Sequence, residues 1–189
     1  MFSLPAKTMA EIEKVNTMFH KFGHQLLDRG IKFIKTAYKL KPKVFTRPEI
    51  LAFLNGQTGI PNSSISLADM KYHVETWAKW GQIIDLDLID TQKYLTDVMD
   101  CDNFAMAYAA RASMVYGLNT CGIAYGNIYD LTGKFIGRHA FNLIVTHEKG
   151  VLKLYCYEPM DDNSNQVIKG QKIILIHGWE YRPDWILMQ

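Results

Sequence analysis

Cysteine is scarce in this chain: Cys101, Cys121 and Cys156 are an odd three, and no CxxC pair occurs. That argues against a disulfide framework or a zinc ribbon and points to a reducing compartment. No apolar run approaches the roughly 18 residues of a membrane span, so no membrane partner is expected. The start, MFSLPAKTMAEIEKV, turns polar too soon for the apolar stretch of a secretory signal. A cytoplasmic location follows as the expectation. P-loop, GxGxxG and GxSxG motifs are also missing, which leaves nucleotide hydrolysis, dinucleotide binding and serine-esterase chemistry without support.

Charge of one sign is not in excess overall, since the formal net charge is only +2. It is unevenly spread. Nine lysines and arginines between Met1 and Lys43 face three acidic residues, and six aspartates between Asp85 and Asp102 face only Lys93. The basic N-terminal part reads as a solvated helix face. Its alternative, contact with nucleic acid or an acidic partner, lacks interleaved aromatic or glycine residues.

What is present is 48% hydrophobic residues in a chain of 189, enough for a single domain over 1–189 with its own core. Ile12, Val15, Met18, Phe19, Phe22, Leu26 and Leu27 recur at helical spacing within 6–40, weakened by Gly23 and Gly30. Thr46 and Pro48 announce a short helix through Leu54. Ser66 with Asp69 predicts another helix, with Met70, Val74, Trp77 and Trp80 on one face. After Gly117 the period becomes that of strands. CGIAYGNIYD, FIGRHAFNLIV and VLKLYCYEPM predict three antiparallel strands joined by tight turns, and KIILIHGW predicts a fourth. The expected class is therefore α+β: a mostly helical part over 1–90, then a core over 91–189 with a sheet of about four strands.

The stretch DCDNFAMAYAARASMVYG predicts a helix that starts at Cys101 and ends at Gly117. Free N–H groups and the positive dipole end at a helix start favour a thiolate. A turn centred between Glu148 and Lys149 would pair His139 with Glu158 on one sheet face. If the helix of Cys101 covers that face, a thiol, a base and an orienting acid meet. Asn142, expected on the face of His139, is a candidate for orienting the site or for bonding a backbone group.

The order Cys101, His139, Glu158, with Asp-Cys-Asp-Asn-Phe-Ala, then His-Ala-Phe-Asn, then Glu-Pro, resembles the papain-like and transglutaminase-like cysteine peptidase fold. It is most similar to the cysteine-protease domain of mushroom agglutinins and related bacterial and phage domains, and it covers residues 94–162. The resemblance implies a cysteine hydrolase, peptidase or amidase acting through an acyl-enzyme. Cys101 would be the nucleophile, His139 the base and Glu158 the orienter, with a protein or peptide as substrate. A transglutaminase-like acyltransferase is the same chemistry with an amine acceptor. Gln92 is a weak candidate for the second oxyanion donor. Met160 stands where the family often has glutamine after Glu-Pro. No cofactor is required; calcium dependence in the agglutinin relatives makes Asp100 and Asp102 candidate oxygen ligands. The alternative is a catalytically inactive binding or phage-particle protein, associated with a virus.

The remaining candidates are weaker. His20 and His24, spaced i and i+4, lack a third metal ligand. His147 reads as an exposed turn residue and His177 as the end of a strand. Trp77, Trp80, Trp179 and Trp185 read as packing.

Overall fold

The chain divides into two compact units, Met1–Lys39 and Leu40–Gln189. The structure, a computed structural model, describes residues 39–175 and 178–188. The predicted helices up to residue 38, the His20 and His24 pair, and His177 lie outside the described residues.

The second unit begins with β1 (Lys43–Thr46) and α1 (Arg47–Thr58). Thr46 starts α1 as the sequence predicts. Glu49 accepts the Thr46 backbone N–H at 2.7 Å and its hydroxyl at 2.7 Å, while Pro48 sits in the first turn, where no intrahelical donor is needed. Gly59, with φ +74°, ends the helix by donating to the Asn55 carbonyl. Ile50 and Leu54 are fully buried, each removal from water stabilising by about 1.5–3 kcal/mol.

The helix predicted from Ser66 is not one element. Residues 65–74 instead form β2 (Ile65–Leu67) and β3 (Lys71–Val74), and α2 starts only at Trp77 and runs to Ile84. Tyr72 and Val74 alternate with exposed Lys71 and His73, so a period of two wins over the period read from Met70 to Trp80. β3 pairs antiparallel with β1.

A loop then leads to α3 (Cys101–Arg111), prolonged by wider π-type turns over Ala112–Tyr116 and closed by Gly117 at φ +70°. The rest is β-structure: β4 (Cys121–Tyr129), β5 (Phe135–Glu148), β6 (Val151–Glu158), β7 (Asn163–Val167), β8 (Ile173–Ile174) and β9 (Glu180–Met188). The sheet has seven strands in the order β2-β9-β4-β5-β6-β7, with β8 also on β9. All its ladders are antiparallel except the parallel pair of β2 with β9.

This corrects the expected fold class. The described unit is dominated by a seven-stranded mixed sheet with three α-helices, not by a helical part followed by about four antiparallel strands. β7 was hidden in the polar DDNSNQ segment. β9 carries Pro183 and three charged residues, which a central strand rarely tolerates. A bulge in the β4–β9 ladder, where Gly126 pairs with Pro183 and Asp184 is the extra residue, accommodates the missing N–H. A Cβ on Gly126 would lie 2.2 Å from the Arg182 carbonyl oxygen, so glycine is needed at this crossing.

The two faces of the sheet differ. One carries the main core, in which Phe141, Leu143, Val145, Leu154, Cys156 and Tyr181 pack with α1 and β3 residues such as Ile50, Leu54 and Tyr72. The other meets α3 through a smaller cluster of Ala105, Ile123 and Ala140, joined by Cys101, Tyr125 and Leu187.

Candidate functional site: a thiol, an imidazole and a carboxylate

Asp100 stands at the N-cap of α3 and forms a capping box with Asn103, its N–H donating to Asn103 Oδ1 at 3.3 Å. Cys101 is thus the first helical residue, and its backbone N–H has no intrahelical acceptor. Arg111 near the other end of α3 forms an ion pair with buried Asp87, Nε to Oδ2 3.0 Å, tying the preceding loop to the helix. Asn142 holds α3 on the sheet: its Nδ2 donates to the Ala105 carbonyl at 2.9 Å and to the Gly122 carbonyl at 3.1 Å.

These contacts correct two expectations. Asn142 does not share the face of His139; an odd separation of three residues puts it on the opposite face. The helix of Cys101 also packs on that opposite face, with Ala140 and Asn142, rather than on the face of His139.

The β5–β6 turn is centred one residue later than predicted. Glu148 pairs with Val151, and Lys149 and Gly150 at φ +50° and +90° form a two-residue turn with both φ values positive. His139 is therefore not directly opposite Glu158. The register moves by two residues along β6, an even number, so both side chains keep the same face. The β5–β6 ladder ends with Asn142 opposite Tyr157. From that pair Glu158 reaches diagonally to the ring of His139, placing its Oε2 2.6 Å from Nε2.

Where β6 ends, the sulfur takes over. The Val145 N–H points to the β4 side, bonding the Thr120 carbonyl, so two-residue alternation turns the Ala140 N–H away from β4. There it donates to the Cys101 sulfur, and the His139 ring bonds the same sulfur. With Nε2 committed to Glu158, Nδ1 is the ring nitrogen left for the thiol.

The electrostatics follow from these bonds. The His139 hydrogen bond pulls the Cys101 thiol below its ordinary value; burial opposes this, and the Ala140 N–H adds to it. Burial alone would lower His139, yet its bonds to Cys101 and Glu158 outweigh that and raise it to about 9. Both shifts run in the direction that favours a thiolate beside an imidazolium. Tyr181 on β9 donates its hydroxyl to Glu158 Oε2 at 3.3 Å, and its ring meets that of His139 edge-on at 5.8 Å. Burial first, then Glu158, pushes the Tyr181 hydroxyl well up, keeping it a donor. Nothing in the spacing of EYRPDWILM signalled Tyr181, because the proline and charges concealed its strand.

The other candidates fall as follows. Gln92 is exposed in the loop before α3, with its N–H on the Ile89 carbonyl at 2.9 Å. Asp100 and Asp102 adjoin each other, and the Asp100 hydrogen bond raises the Asp102 carboxyl. Among the described residues, no group of three or more His, Cys, Asp or Glu side chains is arranged to hold a metal ion. Cys121 and Cys156 are buried and free, their thiols driven well up by burial. Trp77 stacks parallel on Tyr155 at 3.8 Å, and Trp80 is fully buried. Among the described residues no helix is long and apolar enough to cross a membrane.

No family model matches the chain, and no curated protein matches it. Among solved structures it is similar to one titled PSL1a–E64 complex, with a TM-score of 0.54 and 19% identity over 76% of this chain and 51% of that one. It is similar also to the Polyporus squamosus lectin bound to the human-type influenza-binding epitope Neu5Acα2-6Galβ1-4GlcNAc, with a TM-score of 0.54 and 17% identity over 76% and 49%. The chain spans about half the length of these structures, and at such identity the likeness is one of fold. The named neighbour is a lectin, not a papain-like or transglutaminase-like peptidase, which corrects the family that the Cys-His-Glu motif resembles. The expectations drawn from that family, a cysteine peptidase, amidase or acyltransferase and its inactive phage-associated counterpart, are withdrawn with it; what the comparisons establish is a fold shared with half of a lectin structure.

Proposed function

We propose that the second unit carries a reactive-thiol centre in which Cys101 attacks an electrophilic carbon, His139 takes and returns the proton, and Glu158 holds the ring. One observation carries this: a single imidazole bonds a buried carboxylate at 2.6 Å and also a half-buried sulfur. The sulfur supplies the electron pair of a new S–C bond. The bond from that carbon to the departing atom breaks, and that atom keeps the electron pair and takes the proton from His139. No hydrolysis of a peptide or amide is assigned to the centre. A thiolate of this kind persists where thiols stay reduced, so the cytoplasm is the proposed setting.

The test is alkylation by iodoacetamide at pH 6.5, followed by mapping of the modified residue. Cys101 is expected to react about a hundredfold faster than Cys121 or Cys156. E64, present in one of the structures sharing this fold, is the second probe: one equivalent should bind, and Cys101→Ala should abolish binding. Equal alkylation of the three cysteines would overturn the proposal.

Glycan binding is the second reading, favoured by the lectin neighbour and by one surface feature. Trp77, backed by Tyr155, lines a depression of about 660 Å³ with Val151, Lys149 and the ion pair of Lys153 with Glu148. An aromatic face beside charged hydrogen-bonding groups suits a sugar ring. Titration with the sialylated trisaccharide named above should quench tryptophan fluorescence, and Trp77→Ala should remove the response; an unchanged signal at millimolar glycan rules this reading out.

A further inference from the structure

On the face of the sheet that carries α3, the helix starts at Cys101. Register places what comes next. Ile123 pairs with Leu187 and Tyr125 with both Ala140 and Trp185; one step further along, Asn127 pairs with Arg138. Ile123, Ala140 and Leu187 lie under Ala105 of α3, in the cluster that Cys101 and Tyr125 join. Beyond the helix start, the rings of Tyr125 and Trp185 lie 5.6 Å apart at 52°, both half-exposed. Arg138 then bonds Asp184, the extra residue of the β9 bulge, with Nη2 to Oδ1 at 3.1 Å, and donates to Asn127 at 3.4 Å. Bulges commonly re-aim side chains beside functional sites. Here the bulge brings Asp184 to the Arg138 guanidinium, and the two form an ion pair beside the rings.

We infer that Tyr125 and Trp185 form the ligand-binding shelf of the thiol centre, taking an aromatic or similarly flat apolar group attached next to the electrophilic carbon. The inference rests on the reactive-thiol reading and adds its substrate class. Three features support it. Tyr125 belongs to the same small cluster as Cys101 and meets Trp185 ring to ring, so a half-buried aromatic pair adjoins the helix start. They sit on paired central strands, so their positions are fixed by the ladder rather than by a loop. Half-buried rings at the edge of a site give both apolar area and stacking geometry to a flat ligand group.

The experiment compares iodoacetamide with N-benzyl iodoacetamide at pH 6.5, each rate at Cys101 divided by the rate of the same reagent with glutathione thiolate. The benzyl reagent is expected to be preferred about tenfold. Trp185→Ala should bring that ratio to about one, and Tyr125→Leu should do the same if Trp185→Ala fails to fold. Rapid iodoacetamide reaction with a wild-type ratio near one overturns the shelf and leaves the thiol centre standing. Slow iodoacetamide reaction overturns the thiol centre and the shelf with it.

Discussion

Cys101 and Cys156 belong to the same unit, yet their surroundings give them opposite chemistry. Cys101 opens a helix, is half-buried, and accepts hydrogen bonds from an imidazole and a backbone N–H. Cys156 lies mid-strand, two residues before Glu158, and is wholly buried; burial first and the Glu158 carboxylate second drive its thiol up. One acid therefore helps one sulfur and hinders the other. Through His139 it stabilises an imidazolium that favours a thiolate at Cys101, whereas facing Cys156 directly it repels one. Reactivity is set by the donor between acid and sulfur, not by the cysteine itself.

The sharpest way to break this contrast is to remove the donor. His139→Gln leaves Cys101 beside Ala140 and the helix start but without the imidazole. At pH 6.5 its alkylation by iodoacetamide is expected to fall roughly a hundredfold, as the thiol returns toward its ordinary range. The wild-type rate should reach its plateau at a lower pH than the variant's, because the imidazole lowers the thiol. Rates within threefold of each other would place the activation elsewhere.

Stability gives a second, smaller difference between the two regions. His139 has its folded value raised from about 6.5 to about 9, so its protonated form is favoured by folding. The sign follows: the contribution is complete below about pH 6.5 and is lost as pH rises through about 9. Urea unfolding of the wild type should lose roughly 1–3 kcal/mol between pH 6 and pH 10 beyond any loss in His139→Gln. Cys156→Ala removes a thiol that burial keeps protonated in the fold, so it should cost less at pH 10, where only the unfolded wild type ionises, than at pH 6.

How far these features were legible in the sequence depends on which periodicity carried them. The strands at Cys121–Tyr129, Phe135–Glu148 and Val151–Glu158 were visible because apolar alternation and short turns both mark them. The turn residue was misplaced by one, since Lys149, not a glycine, occupies the first positive-φ position. That error moved the register by two, and a period-two pattern is blind to an even slip; His139 and Glu158 stayed on one face for that reason. The face chosen by α3 was not legible, because cysteine, alanine and tyrosine run along several sides of that helix and Asn142 gives no apolar signal. β7 and β9 were missed where polar residues and proline mask an edge strand and a bulged central one. The seven-stranded sheet could not be assembled without them.

Tyr181, contributed by one of those missed strands, carries the smallest effect that still tests the arrangement. Its hydroxyl donates to the Glu158 oxygen that also faces His139, at 3.3 Å against 2.6 Å. Tyr181→Phe keeps the ring that packs edge-on against His139 and Phe141 and removes only that donor. Glu158 then has less competition for its charge and holds the imidazolium more tightly, whereas the fold loses a weak buried hydrogen bond of about 0.5–1.5 kcal/mol. The expected result is a lower urea midpoint with an iodoacetamide rate at pH 6.5 unchanged within about threefold, while Glu158→Gln, which removes the charge itself, slows alkylation more than Tyr181→Phe does. If Tyr181→Phe instead slows alkylation as much as Glu158→Gln, the tyrosine orients the carboxylate rather than merely covering it, and the centre extends to four residues on four elements.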